Sequence, residues 1–129
     1  MIVDSSALIA VLCREPLCER LLRVMESANS LSLGAPTLVE SGIVIGSRVG
    51  FPQRDLQQLI AHFEMAIIPF EPLHAEEALR AFDKFGKGRH KAALNYGDCL
   101  TYAIARLSGN PLLCIGEDFR QTDLLLVNY

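Results

Sequence analysis

What this chain lacks narrows its chemistry first. Its four cysteines (Cys13, Cys18, Cys99 and Cys114) form no CxxC pair, and there are only three histidines. A zinc site needs closely spaced Cys and His ligands, so no zinc pattern is present. The same cysteine usage argues against a secreted disulfide scaffold and for the reducing cytoplasm. No apolar run is long enough to span a bilayer, so no membrane partner is expected. The N-terminus carries no basic stretch ahead of an apolar one, and no signal peptide is expected. The pattern GxxxxGK[ST] is missing, which removes the P-loop nucleotide enzymes. A positive net charge is missing too: 12 Lys and Arg against 15 Asp and Glu leave −3. No global basic field draws nucleic acid, so any such binding must rest on a local basic patch or a metal.

What is present points to one compact domain spanning residues 1–129. Half of the residues are hydrophobic and the mean hydropathy is +0.26. A chain of this size can bury one core, and disorder is not expected. Short apolar runs alternate with helical spacing. Met1–Val3, Leu31–Leu33, Ala66–Phe70, Leu112–Ile115 and Leu124–Val127 read as strands. Ser5 or Ser6 suits the cap of a helix through Leu12, and Leu17–Met25 has an apolar stripe. Gly34–Thr37 reads as an exit loop in which Thr37 can cap a helix that carries Leu38, Val39, Ile43, Val44 and Val49 and ends at Gly50. Pro52 and Pro72 open further helices, and Tyr96–Asp98 introduces another. Strands alternating with helices predict an α/β/α fold of three layers. Its central, mostly parallel sheet would hold four to five short strands.

The informative residue is Asp4, which ends a buried strand at the place where open parallel sheets put their chemistry. Capping the next helix is its competing role. Other acids converge on the same edge. Glu40 lies in the first turns of the helix after the second strand, Asp98 opens a later helix, and Asp118 follows the strand Leu112–Ile115. Asp98 after Gly97 also resembles a cap, and Asp118 beside Phe119 also suits a turn. Clustered carboxylates repel unless neutralised, and a hard divalent cation such as Mg²⁺ or Mn²⁺ is the usual partner. The stretch Lys84, Lys87, Arg89, His90 and Lys91 is the most basic, and Lys87–Lys91 lead into Asp98 as candidate phosphate contacts. A solvated loop is the plainer reading of such a cluster. His62 and His74 sit in helical patterns and read as packing or surface residues.

These residues resemble the PIN-domain ribonucleases, and within them the VapC toxins of toxin–antitoxin pairs. The resemblance runs from Met1–Leu8 through the Glu40 helix with Arg48-Val49-Gly50. It continues through Gly86–His90 and Ala92–Cys99 to Pro111–Leu113 and Gly116–Asp123. It implies that Asp4, Glu40 and Asp98 are metal-binding acids, with Asp4 and Asp98 the main Mg²⁺ ligands. It leaves the fourth acid open among Asp118, Glu117 and Asp123, with Asp118 preferred. It places Thr101, close to Asp98 on the same helix, where it would orient a ligand or water at the substrate side. It further implies Mg²⁺-dependent cleavage of RNA, tRNA or rRNA among its targets, a VapB-like antitoxin that blocks the site, and a homodimer or a toxin–antitoxin assembly.

Two other readings compete. A catalytically silent PIN domain acting as a protein-binding module would be expected to lose an acid, and Asp4, Glu40 and Asp98 are all retained. A phosphoacceptor receiver domain wants adjacent acids after the first strand and an Asp after a middle strand. Ser5 follows Asp4 instead, and no Asp follows Ile67-Ile68.

Overall fold

The computed structural model describes residues 1–47 and 53–129. The proposed helix end at Gly50, the place of Val49 on that helix, the resemblance at Arg48-Val49-Gly50 and the helix start at Pro52 lie outside the described residues. The chain order is β1 (Ile2–Val3), α1 (Ser5–Leu12), α2 (Cys18–Glu26), β2 (Ser32–Gly34), α3 (Ala35–Ser47) and α4 (Gln53–His62). There follow β3 (Ala66–Ile68), α5 (Pro72–Phe85), α6 (Tyr96–Ser108), β4 (Leu112–Leu113) and a 3-10 turn over Phe119–Gln121.

The four strands form one sheet in the order β3-β2-β1-β4. Every pairing is parallel, with Ile2 opposite both Ser32 and Leu112, and Leu33 opposite Ile67. The expected fifth strand, Leu124–Val127, shrinks to a single parallel bridge between Leu112 and Leu126. The segment still packs Leu124 and Leu126 on one core and Val127 on the other, while Leu125 stays 69% exposed.

Strand alternation builds the three layers. Ile2 and Leu112 point into one apolar cluster with Ala81, Phe85, Tyr102 and Ile104 of α5 and α6. Their chain neighbours Val3 and Leu113 point into a second cluster with Leu8, Leu21, Met25 and Leu56 of α1, α2 and α4. Successive strand residues face opposite sides, so each two-residue strand feeds both cores.

Local chemistry corrects several expected boundaries. α1 begins at Ser5, and its cap is Asp4 rather than Ser5 or Ser6. β2 passes straight into α3 with no exit loop, so Thr37 lies inside the helix and caps nothing. Pro36 tolerates this position because the N–H it lacks has no partner in a first turn. α3 does not bury all of the apolar residues it carries, although Leu38 packs against the second core. Thr37, Ser41 and Ile45 turn inward, while Val39 is 61% and Ile43 66% exposed. Thr37 pairs with Thr101 of α6 through their hydroxyls at 3.2 Å, and the Ser41 hydroxyl is buried without a partner. Among the described residues no helix is long and apolar enough to cross a membrane.

Candidate active site

Parallel topology sends the acids to one edge. β1 and β2 each run into a helix at their C-terminal ends, which brings Asp4 and the first turns of α3 there. α6 leads through a short turn at Gly109 into β4, so its own N-terminus lies at the opposite, C-terminal edge.

Asp4 is buried, at 6% exposure. Its Oδ2 accepts from the Ser6 backbone N–H at 3.0 Å and from the Ser6 hydroxyl at 2.6 Å. That hydroxyl also accepts from the Ile115 backbone N–H at 2.9 Å. One serine therefore ties Asp4 to the exit of β4. The exit turns at Gly116, whose φ of 105° lies in the region that favours glycine, and then reaches Asp118.

Asp98 is the third residue of α6. Its Oδ2 accepts from the Asn95 backbone N–H at 2.8 Å, while the Asn95 Oδ1 accepts from the Asp98 N–H at 3.0 Å. Asn95 is thus the cap, and Asp98 completes a reciprocal capping box. This leaves Asp98 fixed through one oxygen with the other available. Burial raises its carboxyl above the ordinary range against the Asn95 bond, and the charges of Asp4, Asp118 and Glu40 raise it further. Glu40, half-buried on α3, is raised by burial first, opposed by a hydrogen bond from Ser5, and raised again by Asp4. Asp4, Glu40 and Asp118 thus all act on Asp98, and Asp4 acts on Glu40, although their residue numbers span more than a hundred positions.

The rivals for the fourth position have other partners. Asp123 accepts from Tyr102 Oη at 2.6 Å and pairs with Lys84 Nζ at 2.8 Å. These bonds hold its carboxyl below the usual range, and it does not figure among the acids that act on Asp98. Glu117 pairs with Arg120 at 3.6 Å. Asp118 is exposed and acts on Asp98 directly.

The basic loop is less available than its composition suggests. Arg89 pairs with Asp83 at 3.5 Å and lies over the Phe82 ring at 5.2 Å. His90 is half-buried with its edge on Phe85, and its Nδ1 accepts from the Ala92 N–H at 3.1 Å. Lys87 and Lys91 remain exposed to solvent. Thr101 is 1% exposed and bonded to Thr37, so direct contact with a substrate is ruled out. Its helical spacing from Asp98 suggested the site, but that face of α6 is turned into the α3 contact. Burial pushes the Cys99 thiol up to about 11 and the Cys114 thiol up to about 12, which leaves neither as a thiolate nucleophile.

Four supporting residues were not singled out for these roles in the sequence: Ser5, Ser6, Asn95 and Gly97. Asn-x-x-Asp at 95–98 is a readable capping-box pattern. The contacts of Ser5 and Gly97 with Glu40 had no sequence signal.

A family model described as "PIN domain" matches residues 1–125. A protein named "Ribonuclease VapC" from Mycolicibacterium smegmatis is 40% identical over 129 residues, covering 99% of this chain and all of that protein. The chain belongs to the PIN-domain family of VapC ribonucleases. "Ribonuclease VapC36" of Mycobacterium tuberculosis is 43% identical over 126 residues, covering 96% of this chain and 91% of that protein. The fold agrees. A crystal structure of Mycobacterium tuberculosis VapC20, titled a "Sarcin-Ricin loop cleaving toxin", superposes with a TM-score of 0.77 at 15% identity. That match covers 99% of this chain and 98% of the other. The structure titled "VapBC2 from Rickettsia felis bound to a DNA fragment from their promoter" gives 0.72 at 14% identity, covering 99% and 97%. Against this VapC fold, the expected three-layer architecture holds, with a sheet that is wholly parallel.

Proposed function

We propose that this single-domain PIN protein is a Mg²⁺-dependent endoribonuclease, the toxin of a cytoplasmic toxin–antitoxin pair. A VapB-type antitoxin would neutralise it. The observation that carries this reading is the electrostatic convergence of Asp4, Glu40, Asp98 and Asp118 at one sheet edge. Burial raises Glu40 and Asp98, neighbouring acids raise them further, and the donors are all oxygen, which suits a hard divalent cation.

The fit is that of a loosely held ion. Among the described residues, no three His, Cys, Asp or Glu side chains stand close enough to hold one ion directly. Charge is felt over several ångströms, whereas a ligand must reach within about 2 Å of Mg²⁺. Mg²⁺ commonly takes one or two carboxylates and keeps its waters. Asp4 and Asp98 would be the main ligands of such an ion, with Glu40 and Asp118 as the further acids beside them. Such an ion supplies charge neutralisation and an activated water for attack on a phosphodiester. The protein does the rest by orientation. Ser6 and the Asn95 N–H each fix one oxygen of their acid, which leaves the other oxygen of each for an ion. Lys87 and Lys91 offer phosphate contacts on the approach. The exposed apolar side chains Val39, Ile43, Leu79 and Tyr96 support a face that a protein partner covers, either the antitoxin or a second copy.

Purified protein freed of antitoxin is expected to cleave RNA with Mg²⁺ or Mn²⁺ and to stop with EDTA. Asp98→Asn keeps the capping acceptor and removes the charge, so it should abolish cleavage with the fold intact. Full activity in Asp98→Asn would overturn the assignment. A folded, Mn²⁺-replete wild type that bound the antitoxin but never cut RNA would favour the silent binding module.

A further inference from the structure

Gly97 sits in the first turn of α6, between the exposed Tyr96 and Asp98. Its φ does not lie in the left-handed region, where Gly88, Gly109 and Gly116 are found. The backbone there is thus open to any residue, and glycine is a poor choice for a helix. Space is the reason for it. A Cβ built on Gly97 would lie 2.8 Å from Glu40 Oε1 and 3.3 Å from both Cδ and Oε2. The three nearest obstructing atoms all belong to the carboxylate of one residue. That carboxylate comes from α3, and a hydrogen bond from the Ser5 side chain of α1 favours its charged form.

We infer that Gly97 is a positioning residue: its missing side chain is the seat that lets the Glu40 carboxylate rest on the first turn of α6, beside Asp98. The inference rests on the metal-nuclease reading above, and adds a residue to it that carries no ligand atom. A methyl group at 97 must push the carboxylate outward, because the backbone of α6 is held by the Asn95–Asp98 capping box. The carboxylate then leaves the position from which it acts on Asp98 and Asp4. Tyr96 and Asp98 keep their own places in the helix.

Two substitutions test this. In Gly97→Ala, Mn²⁺ affinity measured by calorimetry or by the Mn²⁺ paramagnetic resonance signal is expected to fall about 10- to 100-fold, the range for a lost supporting contact at a metal site. Alanine is the better helix former, so a purely structural role for Gly97 predicts no loss of metal affinity. The second readout needs no metal. Thermal unfolding of Gly97→Ala in a Glu40→Ala background should show no destabilisation, since the obstructing carboxylate is gone. A Gly97→Ala protein that binds Mn²⁺ as wild type does would overturn the inference alone. So would a loss of stability that is the same with and without the Glu40 side chain, including the case in which Gly97→Ala fails to fold in both backgrounds. Wild type that binds no Mn²⁺, while Asp98→Asn behaves identically, would overturn the metal-nuclease reading and the inference with it.

Discussion

Replacing Ser6 by alanine removes one hydroxyl that serves two elements at once. The Ser6 Oγ donates to Asp4 at 2.6 Å and accepts from Ile115 N at 2.9 Å. A hydrogen bond to a charged group contributes about 1.5–3 kcal/mol, and a buried N–H left without an acceptor costs about 1–3 kcal/mol. Both sites are only part-buried, so the lower ends apply. Alanine also gains roughly half a kcal/mol of helix propensity over serine. The net expectation is a loss of about 2 kcal/mol, which for a chain of this length is a fall in Tm of roughly 6–10 °C. Urea denaturation should show a lower midpoint at unchanged slope. The control is Ser41→Ala. Its hydroxyl is buried more deeply than that of Ser6 but has no partner, so alanine there should be neutral or stabilising by about 1 kcal/mol. If both variants lose stability alike, burial rather than hydrogen bonding governs these serines. If Ser6→Ala loses less than about 0.5 kcal/mol, the tie between Asp4 and the β4 exit has no energetic weight. Either result would refute the argument.

Glu40 and Asp98 have raised carboxyl groups, so the folded state holds protons that the unfolded chain has released. Metal-free protein should therefore lose stability as pH rises from the ordinary carboxylate range through the raised values, and saturating Mg²⁺ should reverse that slope; thermal unfolding against pH, with and without Mg²⁺, checks this. Asp123 has the opposite sign: its lowered carboxyl adds stability that is present at neutral pH and lost in acid. Asp123→Asn should cost under about 1 kcal/mol, given the exposure of its Lys84 pair, and leave Mn²⁺ affinity unchanged, whereas Asp118→Asn should lower Mn²⁺ affinity at little cost in stability. Lys87→Ala with Lys91→Ala should weaken RNA binding and shallow its dependence on salt, and Arg89→Ala should do less; an equal effect from Arg89 would show that its bond to Asp83 opens on binding.

Asp4, Glu40 and Asp98 were legible in the sequence because each falls at a place fixed by local grammar: a strand end, the first turns of a helix, a helix entry. The parallel alternation of strands and helices then dictates a common edge, since each crossover returns the chain to the same side. The family resemblance added RNA as the expected substrate to the divalent metal that the converging acids had already suggested. Tertiary structure alone decided the rest. It set Asp118 apart from Asp123, because only the folded chain brings Lys84 and Tyr102 to Asp123. It turned Thr101 inward to Thr37 and took Arg89 and His90 partly out of the basic loop. It chose the buried face of α3 against its own apolar pattern, leaving Val39 and Ile43 outside. Helical spacing reports which residues share a face, but which face is covered depends on partners distant in sequence. Gly97 shows the difference most directly: within the sequence it is a weak helix residue, and only the approach of Glu40 from another helix explains why nothing larger stands there.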